Sequence, residues 1–162
     1  MLLNRLLWIT PLLLWLSACA SNPVDSSDVS VRSTPDAIVK ADAPTTGKVL
    51  WGGVILSSAN LSEGTQIEVL SYPLDHRQLP MTQRNSTGRF VVEHPEYLET
   101  YDYAPGRLIS VVGTLSGIDK GSIGKAEYHY VQIVPDSLYL WREDGSDRSP
   151  SFSVGVGINI SN

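Results

Sequence analysis

The side chains able to do chemistry in this 162-residue chain are few, and their spacing does not bring them together. His76, His94 and His129 lack the i, i+4 or fixed-loop separations of metal ligands. His76 sits in Asp75-His76-Arg77 and His94 beside Glu93 and Pro95, both with the character of surface loops. His129 lies between Tyr128 and Tyr130, where strand alternation is the simpler account. Glu93, Glu96, Glu99 and Asp102 form an acidic cluster. Paired carboxylates can do acid–base work in a hydrolase, but acids early in a short helix also simply face solvent and the helix dipole. There is no Gly-x-Ser-x-Gly elbow and no P-loop, and the Gly-rich run Ser116–Gly124 lacks the Lys-Ser/Thr pair of a phosphate cradle. The expectation is a protein without catalytic residues or metal ligands, and not an enzyme.

The one reactive group with a context is Cys19, the single cysteine, which also excludes an intramolecular disulfide. It follows a short positive region at Arg5 and an apolar run from Leu6 to Leu16. As a helix that run measures about 16 Å against a hydrocarbon core of about 30 Å, and Pro11 kinks it. A cleaved export signal fits better than a membrane span. Leu16-Ser17-Ala18-Cys19 then matches the bacterial lipobox, with small residues admitting the peptidase and the thiol receiving a diacylglycerol. The alternative is an ordinary signal peptide and a free cysteine. The expected cleavage lies between Ala18 and Cys19. The only expected cofactor-like groups are the covalent diacylglycerol and N-acyl chain on Cys19, which together exceed the two-signal threshold for stable membrane anchoring.

What must carry this anchor is read from the rest of the chain. Residues 1–18 are the signal peptide. Residues 19–46 are rich in Ser, Thr, Pro and Asp with no aromatic residue and no glycine, the composition of a flexible tether, in which Thr34–Val39 is the one stretch with a docking option. From Gly47 the chain turns β-rich. Apolar residues of both parities surround Gly52-Gly53 in Lys48–Ser57, the pattern of a doubly covered strand with a sharp coil at the glycine pair. Thr65–Tyr72 alternates, Pro73–Thr87 is a polar loop, and Gly88–Glu93 is a third strand. Pro95–Tyr103 has the stripe of a short helix. Arg107–Leu115 is a fourth strand, Gly117–Gly124 a loop, and Tyr128–Val134 with Leu138–Trp141 a fifth. These elements predict an all-β domain over 47–141, a small five-stranded OB-like barrel with one short helix; an up-and-down sheet or a small sandwich is the alternative. Residues 142–162 hold a linker and the alternating Phe152, Val154, Val156, Ile158 and Ile160, either an edge strand of the barrel or a strand offered to a partner.

Several of these pieces, in collinear order, resemble the Slp family of outer-membrane lipoproteins, the starvation-lipoprotein group. They are Trp51-Gly52-Gly53-Val54-Ile55, Thr65–Val69 with Tyr72-Pro73-Leu74, Ser86–Phe90, Tyr103 with Gly106-Arg107, Val112-Gly113 with Gly117, Gly121–Gly124, Tyr128-His129-Tyr130 and Leu140-Trp141. The chain departs from the pattern at Tyr130-Val131, where a Tyr-Pro pair is expected, and at Pro95-Glu96-Tyr97-Leu98. The resemblance implies a lipoprotein of the cell envelope linked to starvation or stress adaptation, and it brings no catalytic residues to carry over. By similarity to enterobacterial lipoproteins, Ala20 in place of Asp points to the outer membrane.

Two roles follow for the barrel. One is a structural or interaction module that binds an envelope protein or wall component. The other is a small-ligand or glycan-binding module. Arg77, Arg84 and Arg89, with Tyr97 and Tyr101 among the tyrosines, are the candidate ligand or partner surface. The membrane is a partner through the lipid. Nucleic acid is not expected, because 12 basic against 17 acidic residues cannot support counterion release.

Overall fold

The computed structural model describes residues 22–41, 46–123 and 126–142. Cys19, the lipobox and the alternating tail lie outside these residues. Five strands, β1 (Lys48–Leu61), β2 (Gly64–Ser71), β3 (Arg89–His94), β4 (Leu108–Ile123) and β5 (Ala126–Leu140), close into a barrel of order β1-β2-β3-β5-β4. Only the β3–β5 pair is parallel. This is the expected OB-like barrel.

Closure depends on β1 serving two neighbours. Its first half, Lys48–Val54, pairs with β4 and its second half, Gly53–Leu61, with β2. Gly53 stands at the change of partner, opposite both Ser71 and Ile109. A Cβ there would collide with the Leu70 carbonyl, and one at Gly52 would come within 2.6 Å of the Ile109 carbonyl oxygen. The pair therefore lets two neighbouring backbones approach a coiled strand, as its position in mid-strand predicted.

Inside, alternate residues of every strand form one core. Ile67 and Val69 of β2, Phe90 and Val92 of β3, and Val131 and Ile133 of β5 are fully buried. Trp51 packs on Phe90 with ring centroids 5.3 Å apart. A second apolar cluster, Val24, Val112, Tyr139 and Trp141, lies outside that core.

Three expectations are corrected. First, the helix is not at Pro95–Tyr103. Leu98 N–H donates to Thr65 Oγ1 at 2.8 Å, and Asn60 Nδ2 donates to the Leu98 carbonyl at 3.3 Å. Side chains of β1 and β2 thus claim the backbone groups a helix would use, and the segment forms turns. The helix, α1 (Pro35–Ala41), lies instead in the stretch with tether composition. Thr34 Oγ1 caps it by accepting from Ala37 N–H at 3.3 Å, and Pro35 occupies the first helical position. Ile38 is buried in the main core, and α1 packs on β5 and β3.

Second, residues 22–41 run along the barrel as a belt. Ser30 and Val31 N–H both donate to the Lys48 carbonyl, and Trp51 Nε1 donates to the Ser33 carbonyl at 3.0 Å. Burial of Val24, Pro35 and Ile38, with Val29, Val31 and Val39 packed beside them, offsets the ordering of an otherwise largely polar segment.

Third, the Gly-rich stretch continues β4 beyond the barrel. Asp119–Ile123 pairs with Ala126–Tyr130 in a hairpin arm past the last β3–β5 pair, Phe90 with Val131. β5 also runs unbroken through Pro135: a register shift opposite Val112 and Gly113 leaves Asp136 without a Cα partner, a bulge that tolerates proline.

Candidate functional site

The structure divides the five candidate surface residues between separate regions. Arg77 and Arg84 lie exposed in the β2–β3 connection. The Asp75 carboxylate organises the turn there, accepting from Arg77 N–H at 2.8 Å and Leu79 N–H at 2.9 Å. Burial pushes this carboxyl up, but the two backbone donors and the Arg77 guanidinium together hold it below the usual carboxylate range. Arg89 is on β3 and is already engaged. Its Nη1 donates to Glu68 Oε1 at 2.6 Å, and its guanidinium lies 5.2 Å from the centre of the Tyr128 ring. Burial, followed by the charge of Asp36, raises the Tyr128 phenol, which stays neutral beside the ion pair. The three arginines do not form one basic surface.

Tyr97 and Tyr101 belong to the β3–β4 connection, and there the structure assembles something else. Among the described residues the exposed large hydrophobic side chains are Leu61 (52%), Tyr97 (66%), Tyr101 (88%) and Val134 (43%). Leu61, Tyr97 and Val134 come together where the β1–β2 turn, the β3–β4 connection and the middle of β5 meet, while Tyr101 stands farther along the same connection. Tyr97 Oη donates to the Ser62 carbonyl at 3.0 Å and ties the connection to the residue following Leu61. Leu61 and Val134 line one concavity of about 390 Å³ together with His94. A second, of about 590 Å³, shares His94 and is flanked by Tyr97 and Tyr103.

Acidic residues rim both: Glu63 and Glu93 on the first, Glu96, Glu99 and Asp102 on the second, with no Lys or Arg among the lining residues. Asp136 also lines the second but is paired with Lys48 at 3.6 Å. The acidic cluster legible in the sequence is thus the rim of an apolar surface, and not a helix face. Tyr72 lies elsewhere, in a cleft of about 300 Å³ between the belt and the β2–β3 connection.

His94 Nδ1 accepts from Glu96 N–H at 3.1 Å, which fixes the start of the connection. Among the described residues no three His, Cys, Asp or Glu side chains come together as a metal-ligand set. Leu61 and Val134 carried no sequence signal as surface residues, since apolar residues in strands read as core.

A second set that the sequence did not mark is buried in the barrel wall. Trp141 Nε1 donates to Ser110 Oγ at 2.9 Å, and Ser110 Oγ donates to the Gln78 carbonyl at 2.5 Å. The Gln78 side chain then clasps the Val24 backbone. Gln78 has φ of 66°, a left-handed conformation unusual outside glycine. Ser110 is used up as a link and is not free to act as a nucleophile.

An OB-like barrel with a short N-terminal belt and an apolar, acid-rimmed end defines a small β-barrel module. The chain belongs to the outer membrane lipoprotein Slp family, whose model matches residues 16–156. It is an outer-membrane lipoprotein. It is 29% identical over 122 residues to the uncharacterized lipoprotein YeaY of Escherichia coli strain K12, covering 75% of this chain and 60% of that protein. It is 35% identical over 94 residues to an uncharacterized protein of Haemophilus influenzae, covering 57% of this chain and 51% of that one. The matched regions thus span between about half and three-fifths of these relatives. No solved structure matches the chain.

Proposed function

We propose that the protein is a non-catalytic interaction module of the cell envelope, held on the outer membrane by acyl chains on Cys19 and binding an envelope protein or wall component through the acid-rimmed apolar end. The observation that carries this reading is the gathering of the exposed Leu61, Tyr97 and Val134 at one end of the barrel. Exposed large apolar side chains scattered singly need no explanation, but a contiguous group with a polar rim marks an interaction site. The carboxylates on the rim favour a partner with basic groups around an apolar centre. A role in starvation or stress adaptation rests on the sequence resemblance alone.

The test is photo-crosslinking in intact envelopes, with a photoreactive phenylalanine replacing Val134 or Leu61 and, as control, Arg84. A discrete adduct from the first two positions and none from the third is expected. Absence of any discrete adduct from Leu61 and Val134 overturns the reading. A second reading, a small-ligand or glycan-binding module, is favoured by the concavity flanked by Tyr97 and Tyr103. In that case soluble wall fragments would protect these tyrosines from chemical modification, and no protein adduct would form.

A further inference from the structure

Val24 is 2% exposed and packs with Val112, Tyr139 and Trp141. One side chain holds its backbone on both sides. Val24 N–H donates to Gln78 Oε1 at 3.1 Å, and Gln78 Nε2 donates to the Val24 carbonyl at 3.1 Å. Gln78 is itself 4% exposed and tied through Ser110 to Trp141. The chain is therefore locked to the barrel wall from residue 24 onward, and again at Ser30–Val31, Ser33 and Asp36. In sequence, Val24 stands five residues after Cys19.

We propose that this clasp holds the barrel against the outer-membrane surface, with the wall around Val24 and the half-buried Leu79 turned toward the phospholipid headgroups. The inference rests on the reading that Cys19 carries the acyl chains. Five residues reach at most about 18 Å even when fully extended. A belt free up to Lys48, 29 residues on, would reach about 100 Å extended and roughly 30 Å as a flexible coil. A domain of about 100 residues is itself roughly 30 Å across. The clasped leash is shorter than the barrel is wide, so the wall at Val24 stays within contact range of the headgroups. A free belt would let the barrel turn and stand away.

The measurement is energy transfer on vesicles. The mature chain is joined at Cys19 to a maleimide-linked diacyl lipid and placed on vesicles of phosphatidylethanolamine and phosphatidylglycerol that carry dansyl headgroups. Trp51 and Trp141 are the donors, since Trp8 and Trp15 belong to the export segment. Strong transfer is expected from the parent chain. Inserting about a dozen Gly/Ser residues between Ala20 and Ser21 leaves the clasp intact and lowers transfer at least twofold, and Gln78→Ala lowers it in the same direction. Equal transfer from the parent and the insertion chain, or no transfer from the parent, overturns the proposal. If the cellular protein carries no acyl group, its mass shows that separately, while the vesicle result still reports the reach of the belt.

Discussion

Ser110 accepts a hydrogen bond from Trp141 and donates one to the Gln78 carbonyl, all within buried surroundings. Removing its hydroxyl strands both partners. A buried polar group left unsatisfied costs about 1–3 kcal/mol, so Ser110→Ala should destabilise the domain by about 2–3 kcal/mol in urea unfolding, whereas the exposed Thr114→Ala should change it by less than about 0.5 kcal/mol. Equal midpoints for the two variants would show that the link is dispensable. None of this was legible in the residue types, because Gln, Ser and Val in a polar loop, a strand and a tether give no sign that they meet. Arg89 is the opposite case. Its charge and position made it a candidate for ligand contact, but Glu68 on the neighbouring strand pairs with it, and cross-strand register cannot be read from composition.

At the scale of elements, the strands that line the core were the legible part. Thr65–Val69 alternates because one face is buried and the other is less so, and Phe90–Val92 is a continuous apolar run because all three residues are buried. The hairpin arm was missed because backbone pairing outside the barrel imposes no apolar pattern. The helix was misplaced because the Pro95–Tyr103 stripe is outbid by hydrogen bonds from Asn60 and Thr65, while a seven-residue segment with two buried anchors docks in the supposed tether. The glycine pair of β1 was read correctly, and it yields a sharp expectation. Gly53→Val places side-chain atoms into the Leu70 backbone, which cannot move without opening the β1–β2 ladder. The variant should lose about 3 kcal/mol or more and several degrees in Tm, measured by thermal unfolding. A melt that overlays the parent would show that β1 does not coil tightly there.

For the molecule as a whole, the family match, the fold and the export segment converge on a barrel carried on the outer membrane. The belt changes what that means mechanically. Composition alone predicted a loose tether with the barrel at its end, but the described part of that stretch is packed on the wall, and α1 presents Asp36 to the backbone of Thr87. The apolar end is then a surface offered from a defined position and not from a swinging one. Both the interaction reading and the short leash depend on the chemistry at one atom, the thiol of Cys19. Mass spectrometry of the mature N-terminus, purified from outer-membrane fractions, tests it directly. The account predicts a chain beginning at Cys19 with a diacylglyceryl group on sulfur and an acyl group on the amine, and loss of membrane association in Cys19→Ala. A mature N-terminus at any other residue, or an unmodified Cys19 in membrane-bound protein, would contradict it.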